Sequence, residues 1–330
     1  MSSASSPKVT ICLPTIGRLT YMRQTLDSLK NQRLSDYELL ILYNGTDAAV
    51  LTQLEEFAAE HDNALVMPES APLTMFANFN RGLRKARGEY VAFFHDDDIY
   101  EPDFLSRIIA LMDIHPSAAF AGSNYHIIGS DNSYQGHRRL IKNTGIRTGH
   151  EFIRDLVHRG RGVIPTPGIV FRKSAFDSAG WDERLSMHFG DFVVLMRLSE
   201  KHDALLIAEP LLKLRLHGQN ASNVPMSTAS PMLFRALDSY VNEFESRWPL
   251  MTDFARALRS SARHALKRSL IWGWISATDD DEADRCTALL SVHGSTFLAT
   301  SLDLVSTLGF RATRRRGLAR QVRRLGQVSG

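Results

Sequence analysis

Three consecutive carboxylates, Asp96, Asp97 and Asp98, close the apolar run YVAFF. Like charges at that spacing repel unless a cation or water neutralises them. Hard divalent cations such as Mg2+ or Mn2+ prefer oxygen ligands and take one or two carboxylates together with substrate phosphates. The triplet therefore reads in two ways, as a metal and diphosphate site or as a solvated acidic loop ahead of the helical pattern EPDFLSRIIALMDIH. No Walker-type loop is present and no GxGxxG follows the first apolar run, so a phosphate would be held through the metal and basic side chains. The 12 histidines contain no HExxH pairing. Cys12 and Cys286 lie too far apart in sequence to draw a disulfide framework or a zinc spacing, which fits a reducing compartment.

The elements that must position these carboxylates follow a regular rhythm. KVTICLP is a β-branched run closed by Pro14, TYMRQTLDSLKNQ has helical spacing, YELLILY is a second buried strand stopped by NGTD, and AVLTQLEEFAAEH is a second helix. NALVMP, APLTMFANFNRGLRKA and EYVAFF repeat the unit, with Gly88 read as the helix stop. Alternation of this kind implies an α/β fold, a mainly parallel sheet flanked by helices. Ligands bind such sheets at the carboxyl ends of the strands, so Pro14, Asn44 and Asp96 should converge on one rim.

The chain of 330 residues is 44% hydrophobic with a formal charge of +3. That length exceeds what one hydrophobic core usually supports, about 250–300 residues, so a larger domain with an appendage is expected. The opening MSSASSPK shows no secretory leader pattern, and no apolar run approaches the roughly 20 residues that cross a bilayer. After SNVPMSTASP, read as a Ser/Pro-rich linker, the pattern turns helical, is broken by TDDDEADR, and ends in the basic RATRRRGLARQVRRLG. The boundaries drawn from this shift are 1–222 and 223–330.

The segments ICLPTIGRLTYMRQTLDSLKNQ, LYNGTD, NFNRGLRKARGEYVAFFHDDD, GIVFRKSAFDSAGWDERLSMHFGDFVVLMRL and LRLHGQNAS occur in an order that resembles the family 2 glycosyltransferases of the GT-A fold. The resemblance covers roughly residues 8–222. It implies a GT-A type, Rossmann-like mixed sheet in residues 1–222, with residues 223–330 a helical appendage outside the catalytic core. It also implies inverting transfer of a sugar from a nucleotide diphosphate donor to a glycan or lipid-linked acceptor hydroxyl, with Mn2+ or Mg2+ as cofactor, in polysaccharide or glycoconjugate synthesis at the cytoplasmic side.

Carried over by position, Asp96 to Asp98 match the DxD segment, with Asp98 the counterpart of the metal-binding carboxylate, joined by Asp96 and by His217 of the closing Arg-x-His motif. Pro14, Thr15 and Arg18 match the first nucleotide loop. Asn80 and Gly82 match an Asn-x-Gly pair whose preceding Arg is Phe79 here. Where the family carries a base-reading Asp, this chain has Tyr43 and Asn44, which implies stacking by Tyr43 and an edge contact by Asn44. Asp96 and Asp97 join the donor set. Asp191 takes the place of the catalytic base, with Gly190 where a second acid usually stands; an Asp near a helix start is equally often a cap. Arg215 reads as a phosphate partner or a surface ion pair, His188 as facing the acceptor, His95 as structural, and Thr166 and Pro167 as lining the acceptor pocket.

Two other classes remain open on the sequence. A sugar nucleotidyltransferase would carry a Gly-rich loop with Arg and Lys after the first strand, which PTIGRLTY does not match. A nucleic-acid binder would use the arginines between Arg311 and Arg324, yet no aromatic residues interleave them. The same arginines, next to STFLATSLDLVSTLGF, suit a peripheral membrane contact. Donor sugar, nucleobase, acceptor and oligomeric state are not encoded in these motifs.

Overall fold

The computed structural model describes residues 6–160, 162, 164–176, 180–185, 189–218, 220, 224–277 and 280–293. Strand β1 (Val9–Thr15) leads to α1 (Leu19–Lys30), β2 (Tyr37–Tyr43), α2 (Ala48–Ala59), β3 (Ala64–Met67), α3 (Met75–Lys85) and β4 (Tyr90–Phe93). The order β3-β2-β1-β4 is parallel throughout, with Ile11 beside Leu39 on one side and Ala92 on the other. Parallel strands covered on both faces need apolar residues at every position, which is why VTICLPT is buried almost end to end. Asp47 caps α2 by accepting the Ala49 and Val50 amides, and Thr74 caps α3 through Ala77.

The chain then continues through β5 (Ile99–Tyr100), α4 (Phe104–Ile114), β6 (Ala118–Ile128), β7 (Tyr134–Arg138), β8 (Gly145–Arg147), α5 (Gly149–Arg159), β9 (Ile169–Arg172), α6 (Gly190–Ser199) and β10 (Asp203–Arg215). The sheet extends as β4-β9-β6-β10-β5, with β9 antiparallel to both β4 and β6 and β10 parallel to β6. It is the mixed, helix-flanked sheet expected from the sequence.

Helices α7 (Met226–Arg247), α8 (Thr252–Ser276) and α9 (Asp280–Val292) form the helical C-terminal region. Two compact units separate: residues 1–155 with 162–220, and residues 156–161 with 221–330. Three local readings change. The stretch taken for a linker is already helical from Met226, with Pro225 at the cap and Pro231 inside the early turns. The acidic run taken for a break runs into α9, with Asp281 and Glu282 in its first turn, where acids complement the positive helix end. Gly88 is not the stop of α3, which ends at Lys85 with Ala86 as its cap; a Cβ at Gly88 would stand 2.5 Å from the Thr10 amide, so the close pass beside β1 requires it. Among the described residues no helix is long and apolar enough to cross a membrane. The apolar stretch and arginines near the C-terminus, and His188, lie outside the described residues.

Candidate active site

Strand β4 delivers the acidic triplet to the carboxyl rim, and the three carboxylates take different surroundings there. Asp96 accepts a 2.5 Å hydrogen bond from the Thr15 hydroxyl at the end of β1, and that hydroxyl also accepts the Gly17 amide at 2.8 Å. Burial raises the Asp96 carboxyl above its usual range, with Thr15 pulling against it and Arg18 adding a favourable charge. Asp97 meets a different partner, its Oδ2 lying 3.0 Å from Nε2 of His217. Asp98 points inward, where Oδ1 accepts the Arg215 amide at 2.8 Å. Burial, and then the neighbouring Asp97 charge, push its carboxyl well up.

Arg215, expected at a phosphate or on the surface, is the floor of the site. It is fully buried. Its guanidinium donates to the Asp97 and Gly129 carbonyls at 2.8 and 3.1 Å, to Asn132 at 2.6 Å and to Gln24 at 2.8 Å, and lies over the Tyr21 ring. Four of its five N–H donors go to these protein oxygens, so its cation supports the loop from beneath. Two residues on, the His217 ring stacks on Tyr21, and its amide donates to Asn220.

The donor set suits a hard or borderline divalent cation. Ligand atoms of His95, Asp97 and Asp98 lie within 4.8 Å of one another. The His95 Nε2 is buried without a hydrogen-bond partner among the described residues, and burial lowers its pKa, which leaves a neutral imidazole. A neutral imidazole grouped with two carboxylates is a donor set that suits a cation. The sequence reading assigned the ion to Asp98, Asp96 and His217. The geometry instead groups His217 with Asp97, gives Asp96 to Thr15, and spends one oxygen of Asp98 on Arg215.

The base-reading positions also differ from expectation. Tyr43 packs with Leu39 and Ile41 in the core and is 2% exposed, and its hydroxyl donates to the Asp47 carbonyl at 2.9 Å. No ring face is left for stacking. Asn44 sits at the rim, half-buried, with its side chain paired to both backbone groups of Leu73 at 2.8 and 3.0 Å, which fixes the segment entering α3. Asn80 likewise spends its amide internally, on both backbone groups of Trp181 and on Glu183. Pro14 and Arg18 flank Thr15, where Arg18 is the residue before α1.

Asp191 stands in the first turn of α6. Its Oδ2 accepts the Thr166 hydroxyl and its Oδ1 the Phe192 amide at 2.9 Å, while burial pushes its carboxyl up to about 6. Thr166 precedes β9, and β9 runs antiparallel to β4 with Val170 opposite Ala92, so Thr166 lies off the same end of β4 as the acidic triplet. Sequence reasoning placed Thr166 in the acceptor pocket and missed its bond to Asp191. Gly190 has a packing reason: a Cβ there would stand 2.1 Å from the Phe76 ring.

The family model described as Glycosyl transferase family 2 matches residues 10–180. The chain belongs to glycosyl transferase family 2. Among curated relatives of this family 2 member, the putative glycosyltransferase EpsH of Bacillus subtilis is 32% identical over 104 residues, 32% of this chain and 30% of that protein. The matched part thus spans about a third of that relative. Among solved structures, Staphylococcus aureus TarS 1–349 in complex with UDP-GlcNAc superposes with a TM-score of 0.62 at 15% identity, covering 87% of this chain and 80% of TarS 1–349. The mannosyltransferase PcManGT of Pyrobaculum calidifontis, in complex with GDP-Man and Mn2+, gives 0.57 at 13% identity and covers 96% and 84%. At these identities the likeness is one of fold.

Proposed function

We propose that this family 2 chain transfers a sugar, with inversion, from a nucleotide diphosphate to an acceptor hydroxyl, and uses a divalent cation held by Asp97 and His217 with His95 and Asp98 beside them. The carrying observation is the 3.0 Å approach of His217 to Asp97 on a rim that also holds Asp191. Nucleotide-sugar donors are bound by two fold relatives, UDP-GlcNAc in TarS and GDP-Man in PcManGT, the second with Mn2+.

In this reading Thr15, Asp96 and Arg18 face the nucleoside side of the donor. Asp191 sits at the acceptor side, where Thr166 and the Phe192 amide fix the orientation of its carboxylate. Asp191 takes the proton of the acceptor hydroxyl as that oxygen bonds to the anomeric carbon from the face opposite the diphosphate. The anomeric C–O bond to the diphosphate breaks with its electron pair, and the nucleotide diphosphate leaves. A bound cation offsets the charge that builds on the departing diphosphate. Acceptors of the glycan or lipid-linked class in polysaccharide or glycoconjugate synthesis accord with the family resemblance.

A thermal-shift series with UDP and GDP, each with and without Mn2+, tests the reading. A ligand present at about 100 times its Kd stabilises the native state by about 2.7 kcal/mol. One nucleotide should raise the melting temperature with Mn2+ and lose most of that shift in chelator. No shift with either nucleotide, metal present, overturns the proposal.

A further inference from the structure

Helix α8 turns a strongly apolar face inward, with Ala255, Leu258, Ala262, Leu266 and Leu270 buried. Its outer face is basic. Arg256, Ser260, Arg263 and Lys267 recur at spacings of four, three and four residues, which places them in one straight row about 16 Å long. A cavity of about 450 Å3 lies against this row, lined by these four residues with Arg259 and His264. Neighbouring acids answer only one end of it. Arg256 pairs with Asp253 on an exposed turn, and Arg259 reaches back to Glu245 and Asn242 on α7, with Asp238 also near. Arg263 and Lys267 have no ion-pair partner among the described residues. Arg268, off the row, donates to the His158 carbonyl.

Directly before this helix, in the turn Pro249–Met251, Leu250 is 99% exposed. A single exposed leucine is ordinary in water, but next in sequence to a cationic row it has apolar area to gain at a bilayer boundary. We propose that the α8 row docks this protein on an anionic lipid surface, with phosphate headgroups in the cavity along Arg256, Arg263 and Lys267 and Leu250 at the headgroup boundary. The apolar face of α8 is already used in its own core, so the contact is electrostatic adsorption with one apolar anchor. A soluble polyanion would match the row but gains nothing from Leu250, and no aromatic side chain lines the cavity for stacking on bases. The proposal stands independently of the catalytic reading.

Co-sedimentation of the full chain with phosphatidylglycerol-containing vesicles and with pure phosphatidylcholine vesicles at low salt tests it. Each cation near an anionic surface is worth about fivefold in partitioning. The variant Arg256→Gln/Arg263→Gln/Lys267→Gln should bind anionic vesicles roughly a hundredfold less, with an unchanged melting curve. Arg263→Gln/Lys267→Gln, which breaks no ion pair among the described residues, should lose about 25-fold and carries the test where the triple variant is unstable. Leu250→Ala should weaken binding several-fold. Wild-type retention in either cation variant overturns the proposal, as does equal binding to neutral vesicles or none at low salt. Strong binding of polyphosphate with no effect of Leu250→Ala reassigns the row to a soluble polyanion and overturns the lipid assignment.

Discussion

The two ends of the parallel strands each hold buried carboxylates, and they treat them in opposite ways. At the amino end of β2, Glu38 accepts the Thr10 hydroxyl at 2.6 Å, the Arg87 amide at 2.8 Å and the Arg87 Nε at 2.7 Å. Both its oxygens are used and its charge has a guanidinium beside it. At the carboxyl end of β4, three carboxylates share one loop, and the nearest buried cation, Arg215, gives its guanidinium to carbonyls and amide oxygens rather than to any carboxylate. A satisfied carboxylate is a structural pin. A set held short of compensation keeps its mutual repulsion unless a cation or water relieves it.

Four measurements break or sharpen this contrast. The largest effect is expected at Asp97. Asp97→Asn should lower metal-dependent turnover by a factor on the order of 10³, with a melting temperature no lower than wild type because one like charge leaves the loop. Activity near wild type would remove Asp97 from the reading.

Next is Asp191→Asn, for which turnover should fall by about 10² with nucleotide affinity unchanged. The pH profile checks the same group. A base pushed up to about 6 must be deprotonated to act, so turnover should climb as pH rises through about 6. The stability contribution runs the other way. The folded carboxyl holds its proton more tightly than the unfolded one, so its contribution is full below the usual Asp range and is lost as pH rises through about 6. A flat profile between pH 5 and 7 (about one unit either side of that value) contradicts the assignment.

At the opposite end of the strands, Glu38→Gln should leave turnover intact at low temperature and cost about 2 kcal/mol, roughly a 4–8 °C loss in melting temperature. Lost turnover with an unchanged melt would mean that Glu38 is not the pin described. The smallest effect belongs to Tyr43→Phe, which removes one hydroxyl bonded to Asp47 and should cost about 1 kcal/mol without moving nucleotide affinity. A tenfold loss of affinity would return Tyr43 to the donor pocket.

Much of the scaffold was legible because parallel strands covered on both faces leave uninterrupted apolar runs, as in VTICLPT and YELLILY. The buried pairing of Glu38, inside the second of these runs, was not legible, because Arg87 lies 49 positions away and no local rule points to it. The direction of Tyr43 was available from strand alternation, since it shares parity with Leu39 and Ile41, which face the same core. The acidic triplet was visible at once, whereas its division of labour was not. Periodicity stops where the loop begins at Asp96, and partners 81, 117 and 120 positions distant decide which carboxylate faces which neighbour. The antiparallel β9 was hidden for a similar reason: its four residues carry no alternation that separates them from the parallel strands.

Arg215 also imposes an order in time. It is donated by the end of β10, while the groups it gathers come from α1, from the loop after β4 and from the turn after β6. A ribosome adding about 5–20 residues per second delivers the acidic loop several seconds before the arginine beneath it. Until then the three aspartates have no cation under their backbone, and the cheapest state for that segment is a hydrated, open one. The rim of the parallel strands therefore closes late, on arrival of the strand that carries Arg215 and, two residues beyond, His217.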